Sequence, residues 1–231
     1  MNRFHDRSQA GRQLGERLRP RFGGRGDVLV LALPRGGVPV GYELAQALDA
    51  PLDLFLVRKL GVPGHEELAL GAIAEGGVRV LNPSILDLVD VGEATIERIA
   101  AREEVELKRR AAEYRGDRRE AEVAGRTVIL VDDGLATGAT MRAAAAAIRA
   151  RGPAQVVVAV PVAAKETCDQ FAGEVDEIIC LLTPEPFHAV GIWYEDFDQT
   201  TDEEVRALLA EAWSSGPGRP PESHAASGGA R

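Results

Sequence analysis

The stretch Val128–Thr140, Val-Ile-Leu-Val-Asp-Asp-Gly-Leu-Ala-Thr-Gly-Ala-Thr, constrains this chain more than any other. Four β-formers end in two adjacent carboxylates. A Gly/Thr loop follows, and then an Ala-rich helix from Met141 to Ala150. A strand that passes through a short loop into a helix is half of a βα unit, so its surroundings should alternate in the same way. The chemistry of the junction is equally specific. The strand tip offers Asp132 and Asp133 to sugar hydroxyls or to a metal. The loop aims backbone N–H groups at an anion, because the first N–H groups of a helix are unpaired and its dipole favours negative charge. Small residues let the backbone approach closely. Acids beside a phosphate cradle describe a site for a ribose 5-phosphate. Walker A nucleotide binding fits poorly, since no Lys-Ser/Thr follows the glycines. An Asp-x-Asp phosphatase fits poorly too, since the acids are adjacent.

The rest of the chain alternates as expected. Asp6 to Arg19 reads as an amphipathic helix with Leu14 and Leu18 one turn apart. The continuous apolar run Val28–Leu33 reads as a buried parallel strand, Val38–Leu48 as a helix and Leu52–Val57 as the next strand. Gly61–Gly71 reads as a charged loop, and residues 72–81 as a hairpin around Gly76-Gly77. Glu93–Arg115 is a long charged helix with Ile96, Ile99, Ala100, Leu107, Ala111 and Tyr114 near one face and Glu103 interrupting the stripe. Glu104/Lys108 and Glu106/Arg110 can support its exposed face. It is either a solvated surface helix or a helix for a partner or a homodimer. Strand Gln155–Val160, a helix around Lys165–Ala172, strand Glu177–Leu182 and helix Asp202–Trp213 complete the pattern. Such a chain builds a parallel sheet covered on both faces, with ligands beyond the carboxyl ends of its strands. Residues 1–213 read as one domain with a helical insertion at about 93–115. Residues 214–231, rich in Gly, Pro and Ser, read as a disordered tail.

Composition removes several classes. A formal charge of -9 argues against nucleic acid and anionic membrane as partners, without forbidding a local basic pocket. There is no run of about eighteen apolar residues, and the start of the chain has no apolar signal core. The two cysteines, Cys168 and Cys180, form no metal or redox motif. They suit reduced, packed thiols in a cytoplasmic protein.

Two further motifs fall at strand ends. Leu33-Pro34-Arg35-Gly36-Gly37 follows the first strand, and Arg58-Lys59 ends the second. A forked guanidinium suits phosphate oxygens, and the glycines expose N–H groups ahead of a helix. Either motif alone is also ordinary turn chemistry or solvent-facing charge.

Together with Val128–Thr140, these residues resemble the type I phosphoribosyltransferases, whose signature runs hydrophobic strand, two acids, small residues and Thr-Gly-x-Thr. The likeness spans roughly residues 28–182. It is greatest to a broad bacterial group with a Pro-Arg-Gly-Gly loop, an Arg-Lys-Leu-Gly strand end and an Ala-Glu-Gly-Gly turn. The resemblance implies an α/β fold of that type: a central, mainly parallel sheet flanked by helices, with a small hood and an added long helix. It implies binding of 5-phosphoribosyl 1-diphosphate with Mg²⁺ and transfer of the phosphoribosyl group to a nitrogen acceptor, its identity open, with release of pyrophosphate.

In that reading Asp132 and Asp133 hold the ribose hydroxyls, directly or near Mg²⁺. Ala136, Thr137, Gly138, Ala139 and Thr140 hold the 5-phosphate, and Gly134 is a further substrate-binding residue. Arg35, Gly36, Gly37 and Arg58 or Lys59 hold the pyrophosphate, with a non-proline cis peptide in the Arg35 loop. The family's further Lys in the loop after Arg58-Lys59 is missing here. His65 is a candidate acid or pyrophosphate donor. Glu67 and Glu75 are candidates to reach substrate or metal. Phe187, Trp193, Tyr194 and Phe197 are candidates for a wall that stacks a planar base, or else pack the C-terminal segment onto the core. A non-catalytic regulator or sensor of the same ligand is the alternative function.

Overall fold

The computed structural model of the chain describes residues 3–86, 88–89 and 91–215. In chain order the elements are α1 (Arg7–Phe22), β1 (Val28–Ala32), α2 (Gly37–Leu48), β2 (Leu52–Leu54), β3 (Val57–Val62), β4 (His65–Ala74), β5 (Arg79–Leu81), α3 (Pro83–Leu86), α4 (Glu93–Arg115), β6 (Thr127–Val131), α5 (Ala139–Arg149), β7 (Gln155–Val162), α6 (Lys165–Phe171), β8 (Glu177–Leu182) and α7 (Asp202–Ser215). Single 3₁₀ turns lie at Glu75–Gly77 and Val190–Trp193.

Five strands form one parallel sheet in the order β2-β1-β6-β7-β8. Successive side chains of a strand point to opposite faces, and here both faces are apolar. Val28, Val30 and Ala32 pack with Leu14, Leu18 and Phe22 of α1 and with Leu44 and Leu48 of α2. Leu29 and Leu31 pack with Met141, Ala144 and Ile148 of α5 and Phe171 of α6. This is why the strands carry unbroken apolar runs. Each fully buried Leu or Phe contributes about 1.5–3 kcal/mol relative to exposure. Register pairs Ala32 with Val131 and Val131 with Ala159, so the carboxyl ends of the three central strands lie side by side.

A second, three-stranded antiparallel sheet, β3-β4-β5, forms a hood beyond this edge. It corrects two expectations. The run Leu52–Val57 is not one strand: the chain leaves the parallel sheet after Leu54 and enters the hood at Val57. Gly61–Gly71 is not a loop: β3 and β4 form a hairpin in which Val62 pairs with His65 around Pro63-Gly64. Register shifts beside Gly61 break the period-two pattern that would have marked a strand. The β4–β5 hairpin around Gly76-Gly77 forms as expected.

Helix α4 has the bounds expected of it. Ile96, Ala100, Leu107 and Tyr114 are buried. The outer face carries Lys108–Glu104 at 2.7 Å and Arg110–Glu106 at 2.9 Å, i,i+4 pairs worth about 0.2–0.5 kcal/mol each. At its C-terminal end Arg115 is buried. Its Nε donates to Asp53 Oδ1 at 2.9 Å, and its other nitrogens reach Glu75 and the Leu54 carbonyl. Asp53 also accepts from Ala121 N at 2.9 Å, and Glu75 from Leu56 N at 3.2 Å. This network ties the hood to the edge of the parallel sheet. It also removes Glu75 from the candidates for substrate or metal, since that carboxylate is buried against Arg115 and burial pushes its pKa up.

The final helix continues to Ser215. The remainder of the expected tail, 216–231, lies outside the described residues, as does the side chain of Glu67. Among the described residues no helix is long and apolar enough to cross a membrane.

Candidate functional site

The tip of β6 is the centre of the site. Asp132 Oδ1 accepts from the Asp133 N–H at 2.9 Å. Burial, with the charge of Asp133 beside it, pushes the Asp132 carboxyl well above the usual aspartate pKa. Burial also raises Asp133, and Arg7 opposes that shift.

Arg7 carried no signal in the sequence, yet it lies in the first turn of α1 directly against the signature. Asp6 caps that helix by accepting from Gln9 N at 2.6 Å. Arg7 Nε then donates to Asp133 Oδ2 at 2.9 Å and Nη1 to the Asp198 carbonyl at 2.7 Å, while its guanidinium lies 3.9 Å from the Phe197 ring centroid. Tyr194 Oη donates to the Asp133 carbonyl at 2.6 Å.

The aromatic segment therefore packs rather than forming an open wall. Trp193 and Tyr194 are buried in a cluster with Phe4, and Phe197 lies 4.9 Å from Tyr194. Its task is to hold one signature acid from behind.

Gly36 and Gly37 stand against the same acids. A Cβ on Gly36 would collide with Asp133 Oδ2, and one on Gly37 would lie 2.7 Å from the Val131 carbonyl. Only a glycine pair lets this loop close over the strand tip. The Pro34–Arg35 peptide is cis, as the resemblance implied. The Arg35 side chain, however, turns away from the acids. Its Nη1 is 3.7 Å from Asp202 Oδ1 at the start of α7, in a small cleft shared with Arg109, Arg110, Glu113 and Tyr114. Tyr114 Oη donates to the same Asp202 oxygen at 2.5 Å and, with Arg35 nearby, holds that carboxyl below its usual pKa.

The loop 136–140 is fastened from its outer side and open on the other. Leu135 bridges to the end of β7. Thr167 Oγ1 donates to the Ala136 carbonyl at 2.6 Å, and Arg142 Nη1 to the Thr137 carbonyl at 2.7 Å. Gly138 takes φ +70 at the N-cap of α5, a left-handed conformation that L side chains rarely adopt, and Phe171 and Thr167 fill the space a Cβ would need. Ala136, Thr137, Ala139 and Thr140 remain exposed. Gly134 is half-buried between β7 and Val190.

Arg58 and Lys59 lie on β3 of the hood, not at the tip of the parallel sheet. With Thr140 they line a cleft of about 730 Å³ between the hood and α4. Arg58 Nε donates to Glu103 Oε2 at 2.8 Å, and Arg102 Nε and Nη2 donate to Oε1 at 3.1 and 2.9 Å. Burial opposes the charge on Glu103, but the hydrogen bonds from the two arginines outweigh it and hold the carboxyl below its usual pKa. The residue that interrupted the apolar stripe of α4 thus fixes two of the cleft's cations, Arg58 and Arg102. His65 lies exposed at the far tip of the hood.

The structure brings Gly36, Gly37, Asp132 and Asp133 together, and separately Arg58, Lys59 and Thr140. Among the described residues no group of three or more His, Cys, Asp or Glu side chains could hold a metal by itself. Mg²⁺ needs few protein ligands when phosphate oxygens complete its shell. Asp132 fits that donor set, with Oδ1 engaged by a backbone N–H and Oδ2 accepting no hydrogen bond from the described residues.

The phosphoribosyl transferase domain family matches residues 5–177. A Mycobacterium tuberculosis protein, known from strains CDC 1551 and H37Rv and named provisionally as a phosphoribosyl transferase, is 48% identical over 212 residues. The match takes in 92% of this chain and 47% of that protein, so the chain spans about half the length of the curated relatives it matches. The crystal structure of TT1426 from Thermus thermophilus is 48% identical with a TM-score of 0.82, covering 90% of this chain and 98% of that one.

Proposed function

From the chain's membership of the phosphoribosyl transferase domain family, with the α/β type I fold, we propose that it transfers the 5-phosphoribosyl group of 5-phosphoribosyl 1-diphosphate to a nitrogen nucleophile. The observation that carries this reading is the convergence of Asp132, Asp133, Gly36 and Gly37 at one sheet edge, with the open 136–140 loop beginning a helix beside them. In the reaction the bond from the anomeric carbon to the diphosphate oxygen breaks and its electron pair leaves with pyrophosphate. The acceptor nitrogen forms the new bond and gives up a proton.

The protein's part is to orient the sugar and stabilise the departing charge. Asp132 and Asp133 accept the ribose hydroxyls, the start of α5 receives the 5-phosphate, and Arg58 and Lys59 face the diphosphate. Asp132 would hold Mg²⁺, which would supply neutralisation of the diphosphate charge. Pyrophosphate release from 5-phosphoribosyl 1-diphosphate, screened against a panel of nitrogen compounds, tests the proposal. Tight binding of that ligand with no turnover on any acceptor would favour the second reading, a sensor. One observation supports the sensor: Arg35, the loop's own cation, is engaged towards Asp202 and not towards the signature acids.

A further inference from the structure

The cleft under the hood gathers four cations, two of them from outside the strand assigned to the diphosphate. Arg58, Lys59, Arg98 and Arg102 line it, against a single carboxylate, Glu103. That carboxylate is buried and already shared by Arg58 and Arg102. A chain of formal charge -9 thus keeps a pocket of net positive charge.

Two of the cations, Arg98 and Arg102, come from α4, which lies outside the signature. They are four residues apart, so they occupy one helix face as like-charged neighbours, an unfavourable arrangement that Glu103 relieves at Arg102 and not at Arg98. Elsewhere on α4 the cations are neutralised along the helix: Lys108 by Glu104, Arg109 by Glu106 and Glu113, and Arg110 by Glu106. Arg98 has no such partner among the described residues. Its neighbour Glu97 pairs with Arg79 of the hood at 2.5 Å and Glu104 with Lys108, so neither nearby carboxylate is free for it. The cleft's volume, about 730 Å³, is that of a small-molecule site. Its lining includes Thr140, in the loop assigned to the 5-phosphate, so the cleft adjoins the proposed sugar-phosphate site.

We propose that Arg98 and Arg102 receive an oxyanion on the acceptor itself, so that the nucleophile is a carboxylate- or phosphate-bearing nitrogen compound and not a neutral base. This deepens the transferase reading and rests on it. Arg58 and Lys59 are left for the diphosphate. Guanidinium groups suit the acceptor's oxyanion because they donate in a planar fork and stay charged at every working pH.

The test measures binding to the full chain of matched pairs, each with and without 5-phosphoribosyl 1-diphosphate and Mg²⁺. The pairs are orotate and uracil, nicotinate and nicotinamide, and phosphoethanolamine and ethanolamine. The first two read a carboxylate, the third a phosphate. At least one acid should bind about tenfold or more tightly than its neutral partner, the ratio expected of a charge-assisted hydrogen bond. In R98Q and in R98Q/R102Q that ratio should fall towards one while affinity for 5-phosphoribosyl 1-diphosphate stays within about threefold, a change under 1 kcal/mol. R98Q removes no internal bond of the described residues, so it keeps the test independent of any folding defect from releasing Glu103.

Equal binding of acid and neutral members throughout overturns the proposal. So does a parallel loss of 5-phosphoribosyl 1-diphosphate affinity, which would assign these arginines to the diphosphate. A wild-type protein indifferent to 5-phosphoribosyl 1-diphosphate overturns the transferase reading instead, and the acid preference measured without that ligand still decides whether the arginines bind an oxyanion.

Discussion

Replacing Arg7 by Met should expose what opposes protonation of the second signature acid. Arg7 and Asp133 have side chains only 12% and 17% exposed, so the pair lies in a poorly screened environment. The substitution removes the bond to Asp133 Oδ2, the bond to the Asp198 carbonyl and the contact with Phe197. Breaking a buried pair costs about 3–5 kcal/mol, and the residual exposure argues for the lower end, about 3 kcal/mol. For a chain of this length that corresponds to a fall in Tm of roughly 6–12 °C.

The loss should depend on pH. Burial already raises Asp133 above 3.8, and without Arg7 it rises further. A carboxyl with a raised folded-state pKa binds more protons folded than unfolded, so stability falls as pH increases from the ordinary value through the raised one. The mutational penalty should therefore be small below the ordinary aspartate range and full at neutral pH. Asp133→Asn should relieve part of it, with a coupling energy of about 1.5–3 kcal/mol in the double-mutant cycle. Denaturant unfolding of the four proteins at two pH values reads both quantities. A penalty under about 0.5 kcal/mol, typical of an inconsequential surface change, or one that does not vary with pH, would refute the argument.

Three other outcomes follow from the same geometry. Binding of 5-phosphoribosyl 1-diphosphate with Mg²⁺ should weaken as pH falls through the raised pKa of Asp132, and Asp132→Asn should reduce that pH dependence; calorimetry over a pH series measures it, and an unchanged dependence in the variant would detach Asp132 from the ligand. Gly36→Ala should cost about 1–3 kcal/mol of stability through overpacking against Asp133 and should abolish the ligand's thermal shift, whereas a variant of normal stability and response would mean that the loop does not close on the acid. Arg115→Met strands Asp53 and Glu75 without their cation and should destabilise the fold by about 3–5 kcal/mol in urea unfolding, with a smaller cost for Glu75→Gln, which leaves no buried charge uncompensated on that side.

The parallel sheet and the bounds of α4 were legible because buried strands and amphipathic helices are written in local periodicity. The hood was half legible. Its second hairpin carries a Gly-Gly turn, but β3 and the first half of β4 are interrupted by Gly61, Pro63 and Gly64, and the shifted register hides the alternation. The switch between sheets at 55–56 was invisible because an apolar run looks the same whichever sheet receives it. The residues that tune the site were least legible of all. Arg7 lies 126 positions from Asp133, and Tyr194 lies 61 away. No local pattern can report a contact that exists only once the N-terminal helix and the C-terminal segment fold over the strand tip.

That separation divides the site's chemistry. In the proposed reading Val128–Thr140 sets where sugar and phosphate lie, with backbone and with two acids whose pKa values burial raises. Arg7, held by the aromatic segment behind it, opposes that shift. In that reading Glu103 with Arg58 and Lys59 sets the charge that meets the diphosphate, Arg98 and Arg102 on α4 set the charge that meets the acceptor, and Asp202 at the start of α7 sets whether Arg35 joins them. Asp202 already accepts from Tyr114 of α4, so α4 and α7 hold the Arg35 carboxylate partner between them. A diphosphate held by Arg58 and Lys59 would compete with that carboxylate for Arg35. Its several oxyanion charges against one exposed aspartate favour the ligand, since an ion pair at a partly exposed site is worth only about 0–1 kcal/mol. The orientation of Arg35 towards Asp202 is therefore a weak argument for sensing, and the four cations gathered under the hood are the stronger argument for transfer.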